Sequence, residues 1–401
     1  MVAFPLCFPG VTDPIPLEES RITALTMGEN GVLYGGTGGR RAHLFAACFT
    51  GVTGAVWDLG PIDDATHCAA IACGRENLVA ALNGPAGSRI LTHQLERVPD
   101  SDLLQEWVFI PKPYQPCQWQ LPHERILDLV AIPQTPQAIG ITENHLFQIH
   151  IDENRSQVIT EVDSTAHLMV DANGAAYGLD DDNTLWTFHA PTNRLTRKAI
   201  PLPSAAWREA PLVWTRNAEN TDFYLADPTG NILSFSPASQ TCQPITQTPL
   251  APITCMAAIP DGRVYGFCGS DISHLFVFDP RSGSMTDLGV AVSVIERRRY
   301  GYRFAAAVTN RDGHLIFGED DNLGHLWQTK VRDTPTRLAE HTSGGLIDGV
   351  EIDPKTVVER HFDAVLQQMY RMLPERLHAP AKRHLASARH APGSHESAML
   401  E

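Results

Sequence analysis

Long apolar runs are missing from this 401-residue chain, and none approaches the roughly 18 consecutive residues that a membrane-crossing helix needs. No membrane partner is expected. Positive charge is also scarce, 31 Lys and Arg against 46 Asp and Glu, for a formal net charge of −15. A surface without a broad basic face has little hold on phosphate backbones, so nucleic acid is not an expected partner either. The eight cysteines are scattered, with no CxxC pair, and several lie inside apolar runs such as 68–73. That placement reads as reduced thiols in a core, with a secreted protein holding one or two disulfides as the alternative. Residues 1–10 carry no basic segment and are interrupted by prolines, unlike a secretory leader, which slightly favours the cytoplasm. Absent too are a serine nucleophile elbow, a phosphate loop, a dinucleotide fingerprint and an HExxH zinc motif.

What the chain does contain is a repeat. Residues 253–290 read as four short β-prone runs joined by turn residues such as Asp261-Gly262. The first of these runs recurs at 22–27, 68–73, 126–133, 167–172, 211–216 and 304–310. The third recurs at 42–49, 88–95, 144–151, 183–190, 230–237, 273–280 and 324–331. Second runs commonly end in aromatic-Gly, as in Tyr34-Gly35, Tyr177-Gly178, Tyr265-Gly266 and Phe317-Gly318. Four-strand units at this spacing predict an all-β fold, a seven-bladed β-propeller of four-stranded antiparallel blades over residues 1–345. The ring should close by pairing either the N-terminal segment or residues near 335–340 with the last blade, because an unpaired edge invites aggregation. Val358, Phe362, Val365, Leu366, Met369, Tyr370 and Leu373 then fall at helical spacing, predicting a C-terminal amphipathic helix within 346–374. That helix offers a surface for a rim contact or a homo-oligomer. Residues 375–401, rich in Ala, His, Arg and Ser, read as a disordered tail.

Loops after second strands and loops between blades emerge on one face, the expected site. The segment 296–303 places Arg299, Tyr300, Tyr302 and Arg303 together in an otherwise acidic protein. Arginine forks bind carboxylates, so Arg303, Arg299, Tyr300 and Arg41 are candidate substrate-binding residues for an acidic saccharide or another anionic ligand. His67 and His123 precede the second and third copies of the first strand and, with Tyr302, are candidate catalytic groups. Histidine, tyrosine and arginine around one mouth suit β-elimination on a uronic acid, which requires no cofactor. His43, His274 and His325 open third strands beside acidic loops, giving a weak candidate site for zinc, calcium or manganese. Equivalent placement around the ring equally suits hydrogen bonding within each blade.

The strings at 34–45 and 274–280 resemble the kelch-like seven-bladed propeller polysaccharide lyases of the ulvan-lyase type. The resemblance spans residues 20–340 through the blade pattern and implies a lyase acting on a uronate-containing saccharide. The alternatives are a non-catalytic propeller that binds a protein or glycan, and another enzyme acting on a small acidic metabolite.

Overall fold

The computed structural model describes residues 1–6, 15–28, 31–50, 53–74, 77–99, 107–111, 113–162, 168–180, 183–203, 212–293, 300–310, 313–321, 323–330, 346–347 and 350–351. The chain divides into two compact units, Met1–Lys330 and Val331–Glu401.

Strand β1 (Val2–Pro5) precedes β2 (Arg21–Met27), β3 (Leu33–Gly38), β4 (Ala42–Thr50) and β5 (Thr53–Ile62). Then come β6 (His67–Cys73), β7 (Asn77–Gly84), β8 (Gly87–Pro99), β9 (Trp107–Pro111) and β10 (Gln115–Pro116). The next two repeats are β11 (Ile126–Ala131), β12 (Gln137–Thr142), β13 (His145–His150) and β14 (Arg155–Glu161), then β15 (Met169–Val170), β16 (Ala175–Leu179), β17 (Thr184–His189) and β18 (Arg194–Pro201). They are followed by β19 (Val213–Arg216), β20 (Phe223–Ala226), β21 (Asn231–Ser236) and β22 (Thr241–Gln247), and by β23 (Ile253–Ala258), β24 (Val264–Cys268), β25 (His274–Asp279) and β26 (Ser284–Val290). The last repeat has β27 (Phe304–Thr309), β28 (His314–Glu319) and β29 (His325–Lys330).

Hydrogen bonding corrects the expectation of seven separate blades. Five four-stranded antiparallel blades form: β11 to β14, β15 to β18, β19 to β22, β23 to β26, and the order β1-β29-β28-β27. The first two repeats do not remain separate, because Gly38 at the end of β3 pairs with His67 at the start of β6. Strands β2 to β10 therefore make one nine-stranded sheet. Among the described residues the fourth strand of the last blade is β1, which pairs with β29, with Ala3 opposite Trp327. This covers the edge that would otherwise be open.

Apolar side chains on facing sheets fill the spaces between them. Ile139, Ile141 and Leu146 pack with Ala176, Trp186 and Phe188, and Ile22, Leu33 and Phe45 pack with Ile316 and Leu326. The second of these clusters joins the first repeat to the last, so the ring closes through side chains as well as through β1. Four glycines of second strands, Gly35, Gly140, Gly178 and Gly266, sit under aromatic rings of third strands, whereas a Cβ at Gly318 would meet Ile22 of the neighbouring repeat. A Cβ at Gly35 would meet the Phe45 ring at 2.1 Å, and one at Gly140 the Phe147 ring at 2.1 Å. Where aromatic-Gly recurs at Gly35, Gly178 and Gly266, the glycine is thus a packing requirement.

Among the described residues no α-helix occurs, only the 3-10 turns Leu17–Glu19 and Ala190–Thr192. The helix expected within 346–374 and the tail at 375–401 lie outside the described residues, apart from the hairpin of β30 (Leu346–Ile347) and β31 (Val350–Glu351) in the second unit. The seven described cysteines are free thiols. Burial pushes the thiols of Cys68 and Cys255 up to about 12, which leaves them protonated and unreactive at neutral pH.

Candidate functional site

Innermost strands line a cavity of about 1150 Å³. Its cationic end is built by one position repeated around the ring, the residue that starts or immediately precedes an innermost strand: Arg21, His67, Arg125 and Arg303. The Nε of Arg21 donates to Asp320 Oδ1 at 3.0 Å, and its Nη2 lies 2.9 Å from the same oxygen. The amide of Asp320 donates to the Arg303 carbonyl at 2.9 Å, tying the carboxylate to the loop that carries Arg303. Among the described residues no carboxylate pairs with the exposed side chains of Arg125 and Arg303.

His67 is half-buried, and the bare Gly38 admits its ring, since a Cβ there would lie 3.2 Å from Nδ1. Burial, reinforced by the positive charge of Arg125 and Arg21, holds its pKa below the ordinary histidine range, against the opposing pull of Asp320. The imidazole is therefore neutral at neutral pH and able to accept a proton. Ser273 is 1% exposed and lines the same cavity. Its amide donates to the Tyr302 carbonyl at 2.9 Å, while its hydroxyl has no partner among the described residues. A buried hydroxyl without a partner is uncommon because leaving it unsatisfied is costly, so it marks a place for a ligand atom or water.

The candidates named from sequence separate into three groups. His67 and Arg303 come together at this mouth. His123, Tyr300 and Tyr302 do not line the cavity; His123 is exposed on a turn whose Pro122 carbonyl accepts the Ser88 amide at 2.7 Å, and each tyrosine is 45% exposed. Arg299 lies outside the described residues. Arg41 is engaged elsewhere, clamping Glu19 through Nε at 2.9 Å and Nη2 at 3.0 Å.

The third-strand histidines face carboxylates in or beside their own repeats. His43 lies 2.8 Å from Glu19 and 3.0 Å from Asp58, His274 lies 3.0 Å from Asp287, and His325 lies 3.3 Å from Glu319. His145 repeats the pattern at 2.9 Å from Glu124. Among the described residues no three His, Cys, Asp or Glu side chains are grouped as metal ligands.

Arg21, Arg125 and Ser273 were not among the candidates chosen from sequence. Arg125 stands two residues beyond His123, and aligning the starts of the first strands in register with His67 and Arg303 singles it out.

No family model and no curated protein matches the chain. Among solved structures it is similar to a chain described as the extracellular domain of a one-component system, BT4673, from B. thetaiotaomicron, with a TM-score of 0.51 and 13% identity. The match covers 77% of this chain and 38% of that one, so this chain corresponds to well under half of its neighbour's length. Such a likeness shows the fold, a β-propeller. Because 1392 chains of solved structures match, the fold does not select an activity, which lies in the residues of the site.

Proposed function

We propose that the channel mouth binds a carboxylate-bearing ligand whose head group is a sugar acid such as a uronate. The observation that carries this reading is the pair of arginines without carboxylate partners among the described residues, Arg125 and Arg303, beside a neutral His67 at the open end of a cavity. Arg21 is already balanced by Asp320, so two positive charges remain to attract an anion. Guanidinium forks match carboxylate geometry, and the Ser273 hydroxyl can donate to a sugar oxygen.

Arg303→Ala is expected to weaken glucuronate or galacturonate binding about tenfold to a hundredfold, the range for losing a hydrogen bond to a charged group. Isothermal titration of wild type and variant reads this directly. Equal affinities, or no uronate binding by either protein, would remove the mouth as a carboxylate site. A second expectation concerns His67. A bound anion offsets the charge of Arg125 and Arg21, so the His67 pKa, followed by NMR of the imidazole, should start low and rise on saturation with glucuronate. No movement on saturation would place the carboxylate elsewhere.

The neutral imidazole also supports a second reading, elimination at the same mouth. The C5 proton of a uronate passes to His67, the C–H electron pair becomes the C4=C5 double bond, and the C4–O bond breaks with its electrons. The leaving oxygen takes its proton from solvent, since neither His123 nor Tyr302 lines the cavity. The arginines stabilise the charge that builds on the carboxylate. Incubation with uronate oligomers tests this through the ultraviolet absorbance of the unsaturated product. Turnover abolished by His67→Ala, with affinity kept within a few-fold, supports elimination; absorbance that never rises rejects it.

A further inference from the structure

We propose that the ligand is an amphiphile, with its carboxylate head at the mouth and an apolar tail running down the channel, an inference that rests on the mouth being a carboxylate site. The wall changes character directly beneath the cationic end. Behind Arg21, His67, Arg125 and Arg303 the cavity is lined by Leu25, Ile71, Leu127, Val213, Met256 and Ala307.

Three of the polar side chains among these apolar ones, Thr23, Thr254 and Asp128, are already engaged. The Thr23 hydroxyl donates to the Cys68 carbonyl at 2.7 Å and the Thr254 hydroxyl to the Phe267 carbonyl at 3.4 Å. Asp128 accepts the amides of Leu129 at 2.7 Å and Leu168 at 2.6 Å. A saccharide chain entering this stretch would find few free partners for its hydroxyls, which is costly where they leave water. An alkyl or aryl tail needs none and gains from leaving water.

Size agrees with the chemistry. The cavity, at about 1150 Å³, is larger than the roughly 300–1,000 Å³ of an ordinary small-molecule site, so a sugar acid at the mouth leaves most of it vacant. Arg216 lines the far part of the cavity, with its Nε donating to the Val170 carbonyl at 2.8 Å, and limits the apolar stretch. The unpartnered Ser273 hydroxyl at the other end places the polar atoms of the ligand there.

The test is a chain-length series titrated into the full-length protein. One arm runs from acetate through butanoate and hexanoate to octanoate; the other compares methyl, butyl and octyl glucuronosides, which share the carboxylate and apolar tail but carry a sugar. Affinity should rise by about twofold to fourfold for each added methylene, the gain expected from burying that group. 1-Octanol should bind at least tenfold more weakly than octanoate. Ala307→Phe, which narrows the channel, should reduce the octanoate-to-acetate affinity ratio, and Leu25→Gln, which adds polarity without bulk, should reduce it independently.

Affinity that stays flat with chain length in both arms overturns the tail and leaves the carboxylate site standing. Octanol binding as tightly as octanoate overturns the carboxylate site. Binding by neither arm overturns both. A rise confined to the glucuronosides supports the tail and assigns the head to a sugar acid.

Discussion

Replacing Glu19 with alanine is expected to lower folding stability by about 3 kcal/mol, the lower end of the range for removing one member of a buried charge network. Glu19 is fully buried on a 3-10 turn and holds three cations together, Arg40 at 2.9 Å, Arg41 at 2.9 Å and His43 at 2.8 Å. The arginine side chains are 69% and 41% exposed, so on losing Glu19 they turn to solvent and contribute little to the cost. His43, only 2% exposed, cannot turn away and keeps Asp58 alone.

The same network fixes the sign of the pH dependence. The Arg41 hydrogen bond, opposed by burial and helped by His43 and Arg40, lowers the Glu19 carboxyl to about 2. Its stabilisation is therefore present above the pKa of a free glutamate and is lost as pH falls toward about 2. Burial alone would lower the His43 pKa, but hydrogen bonds to Asp58 and Glu19 outweigh it and the net direction is upward. That contribution is complete below the ordinary histidine pKa and disappears as pH rises through the raised value. Urea denaturation from pH 3 to 9 should show the difference between wild type and Glu19→Gln shrinking at both ends. A difference under about 0.5 kcal/mol at every pH, no more than an ordinary surface substitution produces, would mean that the network is not stabilising.

Gly178→Ala is the second large effect, expected to cost about 1–3 kcal/mol or more, the range for forcing a methyl into a filled core. A Cβ at this position would lie 2.0 Å from the ring of Trp186, which is fully buried between two blades. Trp186→Leu vacates the space, so adding Gly178→Ala to that variant should cost much less than adding it to wild type, a coupling that a double-mutant cycle measures. Strictly additive losses would show that the clash is relieved by backbone movement instead.

Much of the blade pattern was legible because it is local. A first strand such as 68–73 and a third strand such as 274–279 announce themselves by β-prone residues between turns, and the observed strands fall there. The aromatic-Gly signal was visible as a motif, and its reason, a ring lying on a bare backbone, appeared with the packing. The number of blades was misjudged because periodicity counts runs of residues, whereas sheets are defined by hydrogen bonds. Nothing in residues 38 and 67 taken separately says that they pair and join two repeats.

The site divides in the same way. His67 and Arg303 line one cavity because the first starts and the second immediately precedes an innermost strand. His123 does not line the cavity whereas Arg125, two residues on, does, a difference set by the fold of the loop. The partner of Arg41 was not legible, because Glu19 is distant in sequence and adjacent only after folding. By itself the sequence determined the all-β class, the strands and their turns, and which residue types could handle an anion, because these follow from side-chain periodicity and backbone preference within a few residues. Only the tertiary structure decided which repeats merge, which strand covers the last blade's edge, and which arginines remain without a carboxylate, because each of these depends on contacts between segments far apart in the chain.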